Sequence, residues 1–233
     1  MIERINQLWI IDIDGTIVNV HTNQVPAWLN MLKEVYGVEV DEKTLVSFFG
    51  KPFTSVLVDV LEHSGIKEED VLKKHKQAFD KYVYGVQSGL DKNGGKILPG
   101  AVEFLEELGR RHIVRAIATG NPQSEAEHKL KYFDLLKYFE IKVYAENRRE
   151  RSELVHEAVR QAHENFGISP KGREIKIFGD SPHDVKSAHK LEALSIGIAT
   201  GPTSYEKLAA IGPDLIFPSL TEYRKIIEQV LNS

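Results

Sequence analysis

The stretch LWIIDIDGTIV, Leu8 to Val18, decides the fold. Leu8 to Ile13 is nearly all apolar, the pattern of a short strand covered on both faces. It ends in acid: Asp12 and Asp14 stand one residue apart, followed by Gly15 and Thr16. Charged side chains are rarely buried unless they are paired or bind a metal. Either this strand end is solvated or something cationic sits against it.

Outward from that strand the chain changes rhythm twice. Residues 19–95 hold no convincing strand. Pro26 opens a helical pattern carrying Trp28, Leu29, Leu32, Val35 and Tyr36, which Gly37 can end. PFTSVLVDVLEHSG and EEDVLKKHKQAFDKYVYG repeat the helical spacing, and SGLDKNGGK reads as a loop. From Leu98 helix-like and strand-like segments alternate. HIVRAIAT, EIKVYA, EIKIFGD, LSIGIAT and DLIF read as strands between amphipathic helices. In SELVHEAVRQAHENFG, Ser152 is the expected N-cap and Gly167 the stop. The alternation predicts an α/β fold, a doubly wound parallel sheet with helices on both faces. The helical stretch then becomes a small all-helical insertion after the first strand. The expected boundaries are residues 1–18 and 96–233 for the core and 19–95 for the insertion.

Composition narrows the partners. The 233 residues carry a formal net charge of −4, with 42% hydrophobic and 27% charged side chains and no cysteine. Without cysteine there are no disulfides, thiolate metal sites or thiol nucleophiles. No basic block points to nucleic acid, and no apolar run is long enough to span a bilayer. The N-terminal residues lack a signal-peptide pattern, so a cytoplasmic protein is expected. The oligomeric state is left open.

In doubly wound sheets, ligands bind outside the carboxyl ends of the strands. Here those ends supply Asp12, Asp14, Thr119, Gly120, Asn121, Asp180, Ser181 and Asp184. Four carboxylates converging on one edge repel one another by kilocalories at low effective dielectric. A hard divalent cation with oxygen ligands, such as magnesium, relieves that repulsion.

DIDGT (residues 12–16), ATGN (118–121), a basic residue further on and GDSPHD (179–184) together resemble the four motifs of the haloacid dehalogenase-like hydrolase superfamily. The resemblance runs through essentially the whole chain in the right order. The insertion resembles the helical cap of the phosphoglycolate phosphatase and beta-phosphoglucomutase branch. The resemblance implies a Rossmann-like core, Mg2+ as cofactor, and hydrolysis of a small phosphorylated metabolite through an aspartyl phosphate. It implies Asp12 as nucleophile and Asp14 as general acid and base. Thr119, Gly120 and Asn121 would bind the phosphoryl group. Asp12, the Asp14 carbonyl and Asp180 would hold magnesium, with Asp184 behind them. The superfamily's dehalogenases lack the second aspartate, so Asp14 favours phosphoryl chemistry.

The basic residue has three candidates, Arg148, Arg149 and Arg151. The family usually has lysine followed by proline, and here Ser152 follows Arg151. Arg151 is favoured because it directly precedes the expected helix. In FFGKP (residues 48–52), which resembles a specificity loop of such caps, Lys51 reads either as a contact to the substrate's tail or as an exposed turn lysine. His21 and His183 receive no role. A phosphomutase of the same fold, a non-catalytic phosphate-binding partner protein and a phosphonate hydrolase using Lys33 or Lys51 are the competing readings.

Overall fold

The computed structural model describes residues 6–145 and 148–233. In chain order the elements begin with β1 (Leu8–Ile11), β2 (Val18–Asn19), α1 (His21–Met31), α2 (Glu42–Val46), α3 (Phe53–His63), α4 (Glu68–Lys73), α5 (His75–Asn93) and β3 (Lys96–Ile97). They continue with α6 (Ala101–Arg110), β4 (Val114–Ala118), α7 (Gln123–Tyr132), β5 (Ile141–Val143), α8 (Arg151–Phe166), β6 (Ile175–Gly179) and α9 (Pro182–Lys190). The last are β7 (Leu194–Ile198), α10 (Tyr205–Ala209), β8 (Leu215–Phe217) and α11 (Tyr223–Leu231).

Six parallel strands form the main sheet in the order β5-β4-β1-β6-β7-β8. The chain winds from β1 to one edge, returns, and winds to the other. The order therefore reverses beside β1, where a doubly wound sheet opens its ligand crevice. Register carries the strand ends to the same level, with Ile11 beside both Ile117 and Phe178.

Alternation along β1 divides the core. Trp9 and Ile11 pack with Phe104 and Phe178 on one face. Leu8 and Ile10 pack with Ala116, Ile177 and the α8 residues Leu154, Val155 and Ala158 on the other. Trp9 stacks on Phe178 with ring centroids 5.2 Å apart. Helices α1–α5 bury a separate cluster around Trp28, Met31, Leu57, Leu61 and Tyr82. The chain leaves and re-enters the core through the two-stranded antiparallel β2–β3 ribbon.

Some local expectations give way to tertiary contacts. Helix α1 starts five residues before Pro26, because the Val20 carbonyl accepts from the Asn23 and Gln24 amides at 2.8 and 3.1 Å. After Met31 it widens into a π-helical turn, Leu32–Tyr36, which Gly37 closes with φ 71° as expected. SGLDKN is helix rather than loop: α5 runs to Asn93 and stops at Gly94. A Cβ on Gly85 would lie 3.0 Å from the Ala27 Cβ, and one on Gly89 3.2 Å from Asn23 Oδ1. These two glycines, one turn apart, let α5 press against α1, and that packing outweighs their poor helix propensity.

Candidate active site

The ends of β1, β4 and β6 meet at one crevice. Asp12 donates its backbone amide to the Phe178 carbonyl at 3.0 Å, which ties its level to the end of β6. The chain then turns tightly: the Ile17 and Val18 amides both donate to the Ile13 carbonyl at 3.0 Å. Gly15 has φ 75°, and a Cβ there would sit 2.4 Å from Asp180 Oδ2. A Cβ on Gly201 would sit 1.6 Å from the same oxygen. Two bare backbones thus make the slot that the Asp180 carboxylate occupies.

Asp12, Asp180 and Asp184 are all buried, and each offers an oxygen within 4.8 Å of the others. The donor set is all oxygen, which fits magnesium. Burial pushes the Asp12 carboxyl up to about 6, Arg151 holding it down and Asp184 and Asp14 adding to the rise. Asp180 is pushed well above the carboxylate range by burial, then by Asp184 and Asp12. Within the described protein, these three acids outnumber the single cation among them, Arg151.

Arg151 Nη2 lies 2.9 Å from Asp12 Oδ1 and 2.5 Å from Asp184 Oδ1. Its Nη1 donates to the Gly50 carbonyl at 3.2 Å. Burial alone would lower the guanidinium's affinity for its proton, but Asp12 and Asp184 outweigh it and raise it. Ser152 is not the N-cap of α8. Glu150 is, in a capping box with Glu153, so Arg151 is the first helical residue and Ser152 donates to Glu150 at 3.1 Å. Arg149 pairs with Glu68 at 2.7 Å, and Arg148 donates to the Tyr144 carbonyl at 3.0 Å. Of the three arginines, Arg151 alone reaches Asp12. Asp184 has a second job in the N-cap of α9: it accepts from the Ser181 hydroxyl at 2.6 Å and amide at 3.2 Å.

Asp14 faces a different set. Asn121 Nδ2 donates to its Oδ2 at 2.5 Å, and Lys129 Nζ lies 3.1 and 2.9 Å from its two oxygens. Asn121, expected to reach a phosphoryl group, is thus turned toward the carboxylate. Lys129 also meets Glu125 Oε1 at 2.5 Å, and both side chains are fully buried. Burial would strip the Lys129 proton, but Asp14 and Glu125 more than reverse this; burial raises Glu125. Lys129 and Glu125 were missed in the sequence, because an i,i+4 pair of opposite charges on a helix is ordinarily a surface feature. The signal was there: Ala126, Lys129 and Leu130 share the inner face of α7 at helical spacing.

Above these groups lies a cavity of about 620 Å3 that Asp12, Asp14, Thr119, Gly120, Asn121, Arg151 and Asp180 line from below. Trp28, Phe53, Tyr82 and Lys51 line it from the helical side. Lys51 is half-buried and its Nζ lies 2.5 Å from Asp59 Oδ2. His183 also lines the cavity; burial, then Lys51, lowers its proton affinity. His21 sits at the rim, 3.4 Å from Glu42. The helical unit is seated on the core: the Phe53 amide donates to the Gly120 carbonyl at 2.9 Å. A Cβ on Gly120 would lie 2.5 Å from the Lys51 carbonyl oxygen.

The chain is similar to several known proteins. A phosphoglycolate phosphatase of Nitrosospira multiformis is 25% identical over 230 residues, covering 94% of this chain and 95% of the relative. The PpaX protein of Caldanaerobacter subterraneus, named for pyrophosphatase activity, is 26% identical over 219 residues, covering 94% of this chain and 93% of its own. The crystal structure of a hydrolase from Pseudomonas syringae superposes with a TM-score of 0.80 at 21% identity, covering 96% of this chain and 98% of that one, a likeness of fold. The family model for haloacid dehalogenase-like hydrolases matches residues 9–198, from β1 with its aspartates through the end of β7. This chain belongs to the haloacid dehalogenase-like hydrolase family.

Proposed function

We propose that the protein is a magnesium-dependent phosphatase that hydrolyses a small phosphomonoester through an aspartyl phosphate on Asp12. One observation carries this reading most: two carboxylates at the end of β1 line one cavity in different settings. Asp12 sits beside Arg151, Asp180 and Asp184, and Asp14 sits beside Lys129 and Asn121. A nucleophile and a proton carrier need such different surroundings.

Asp12, Asp180 and the Asp14 carbonyl would hold the magnesium, with Asp184 supporting them. The bound cation would screen the charge between the Asp12 carboxylate and the phosphoryl oxygens. Arg151, Thr119 and the Gly120 amide orient the phosphoryl group, the guanidinium by paired hydrogen bonds. The Asp12 carboxylate oxygen then attacks phosphorus as the ester P–O bond breaks. Asp14 gives its proton to the departing alkoxide oxygen. A water enters, Asp14 takes one of its protons, and the new P–O bond forms as the bond to Asp12 breaks. Inorganic phosphate leaves and Asp12 is restored.

Residues 19–95 act in this reading as a cap domain over a core of residues 1–18 and 96–233. The cap excludes water and reads the leaving group. Lys51 is its contact to the substrate's tail, a carboxylate if the substrate is like phosphoglycolate. The protein works in the cytoplasm on a small phosphorylated metabolite, with neither nucleic acid nor membrane as partner. No described helix is long and apolar enough to cross a membrane.

The test is a panel of phosphorylated metabolites, including phosphoglycolate, sugar phosphates and pyrophosphate, incubated with and without magnesium. Magnesium-dependent release of inorganic phosphate from a monoester is expected. An isomeric sugar phosphate in place of free phosphate would turn the reading to a mutase. No change in any compound would remove the catalytic reading.

A further inference from the structure

Lys129 and Glu125 lie outside the four motifs, yet they are the most deeply buried charges near the cavity. Both are 0% exposed. A lysine placed on the inner face of a helix is costly unless every donor is satisfied and the charge is matched. Here it is matched by Asp14 at 2.9 Å and Glu125 at 2.5 Å.

Glu125 extends the contact away from the core. Its Oε1 also accepts from the Tyr82 hydroxyl at 3.0 Å and from Gln24 Nε2 at 3.3 Å. Lys129 and Glu125 belong to α7, whereas Tyr82 belongs to α5 and Gln24 to α1. An unbroken polar path therefore runs from the helical unit, through the α7 pair, to the carboxylate of Asp14. The Tyr82 ring is itself fixed, with centroids 4.7 Å from Trp28 and 5.1 Å from Phe53.

We propose that Lys129 and Glu125 are positioning residues that aim the Asp14 carboxylate, and that Tyr82 and Gln24 make this aim depend on the helical unit being seated on the core. The proposal rests on the reading of Asp14 as the acid and base of a phosphatase. With the unit seated, Glu125 holds three donors and keeps Lys129 against Asp14. With the unit lifted, Glu125 loses two of those donors and its cover from solvent, and the Lys129 ammonium is no longer confined. A proton carrier works only within hydrogen-bond reach of the atom it serves. Asp14 is thus aimed when the cavity is closed and its substrate is in place.

Two esters of unequal need test this. Ethyl phosphate must have its leaving oxygen protonated, whereas dinitrophenolate leaves without a proton. For both, kcat/KM reports the steps up to transfer of the phosphoryl group to Asp12. In Lys129→Met, kcat/KM for ethyl phosphate should fall by about a hundredfold, the scale of a lost general acid, while that for dinitrophenyl phosphate stays nearly unchanged. Tyr82→Phe keeps the stacked ring and serves if Lys129→Met does not fold. It should show the same selective loss, roughly tenfold, as for one hydrogen bond to a charged group. Equal losses on the two esters, or none on either, in the folded variants overturn the proposal. A wild-type protein that hydrolyses neither ester overturns the phosphatase reading beneath it. Wild-type hydrolysis of dinitrophenyl phosphate alone overturns the positioning role and leaves Asp12 as nucleophile.

Discussion

Arg151 Nη2 stands 2.9 Å from Asp12 Oδ1, and both side chains are about nine-tenths buried. An arginine held this way cannot be exchanged for a lysine at no cost, because its second nitrogen also donates to the Gly50 carbonyl across the seam with the helical unit. The same cation neutralises part of an acidic cluster that burial alone would drive toward protonation. Even so, Asp12 is left at about 6.

That value sets a pH dependence for the metal-free protein. The folded state keeps a proton on Asp12 between 3.8 and about 6 that the unfolded chain has released. Stability from this group therefore declines as pH rises through that window and is flat above it. Asp12→Asn mimics the protonated form. In the presence of a chelator its stability should match wild type near pH 4 and exceed it by about 3 kcal/mol at pH 8. Urea titrations of the two proteins across that range check this. A difference that does not change with pH would contradict it.

Magnesium should remove the same penalty. At pH 8 its addition is expected to raise the melting temperature of wild type, since a ligand of the folded state stabilises by mass action. The shift should vanish in Asp180→Ala. It should shrink in Gly201→Ala, where the new methyl would stand 1.6 Å from Asp180 Oδ2 and push that carboxylate from its slot. An undiminished shift in both variants, read by differential scanning fluorimetry, would put the cation elsewhere.

Seating of the helical unit depends on Gly120. Gly120→Ala places a methyl 2.5 Å from the Lys51 carbonyl oxygen, beside the Phe53 amide bond to Gly120. The seam must part by several tenths of an ångström. Turnover should fall by about tenfold or more, as expected when a closing element no longer completes the site. The melting temperature should change little, because each unit keeps its own core. Steady-state kinetics beside a thermal melt measures both.

Lys51 is aimed by Asp59 at 2.5 Å. Lys51→Ala should raise KM roughly tenfold for a substrate with an anionic tail, the scale of one charged hydrogen bond. Hydrolysis of p-nitrophenyl phosphate should be nearly unchanged. Equal losses on both compounds would assign Lys51 to the core chemistry or to the fold, and no loss on either would leave it a half-buried partner of Asp59 with no part in substrate binding.

Asp12 and Asp180 were legible in the sequence because each stands directly after an apolar strand, Asp12 after Ile11 and Asp180 after Gly179. Strand alternation with helices carried the sheet for the same reason. Arg151 was legible only by its place before a helix, and the cap of that helix was misjudged by two residues because Glu150 competes with Ser152. Gly89 read as a loop residue because a close approach between α1 and α5 leaves no local mark. The Asp14 contacts were the least visible. Glu125 and Lys129 obey the surface rule for ion pairs, and only their place on the inner stripe of α7, with partners 43 and 101 residues away in Tyr82 and Gln24, makes them interior.

The proposed chemistry requires a phosphoryl group carried on Asp12. Its most direct test is rapid acid quenching during turnover of dinitrophenyl phosphate, followed by mass spectrometry of the digested chain. Wild type should carry a phosphoryl group on the peptide that contains Asp12. Asp14→Asn should accumulate it, because the second step lacks its base, and Asp12→Asn should carry none. A chain that turns over substrate yet never bears a phosphoryl group at Asp12 would rule out Asp12 as the nucleophile.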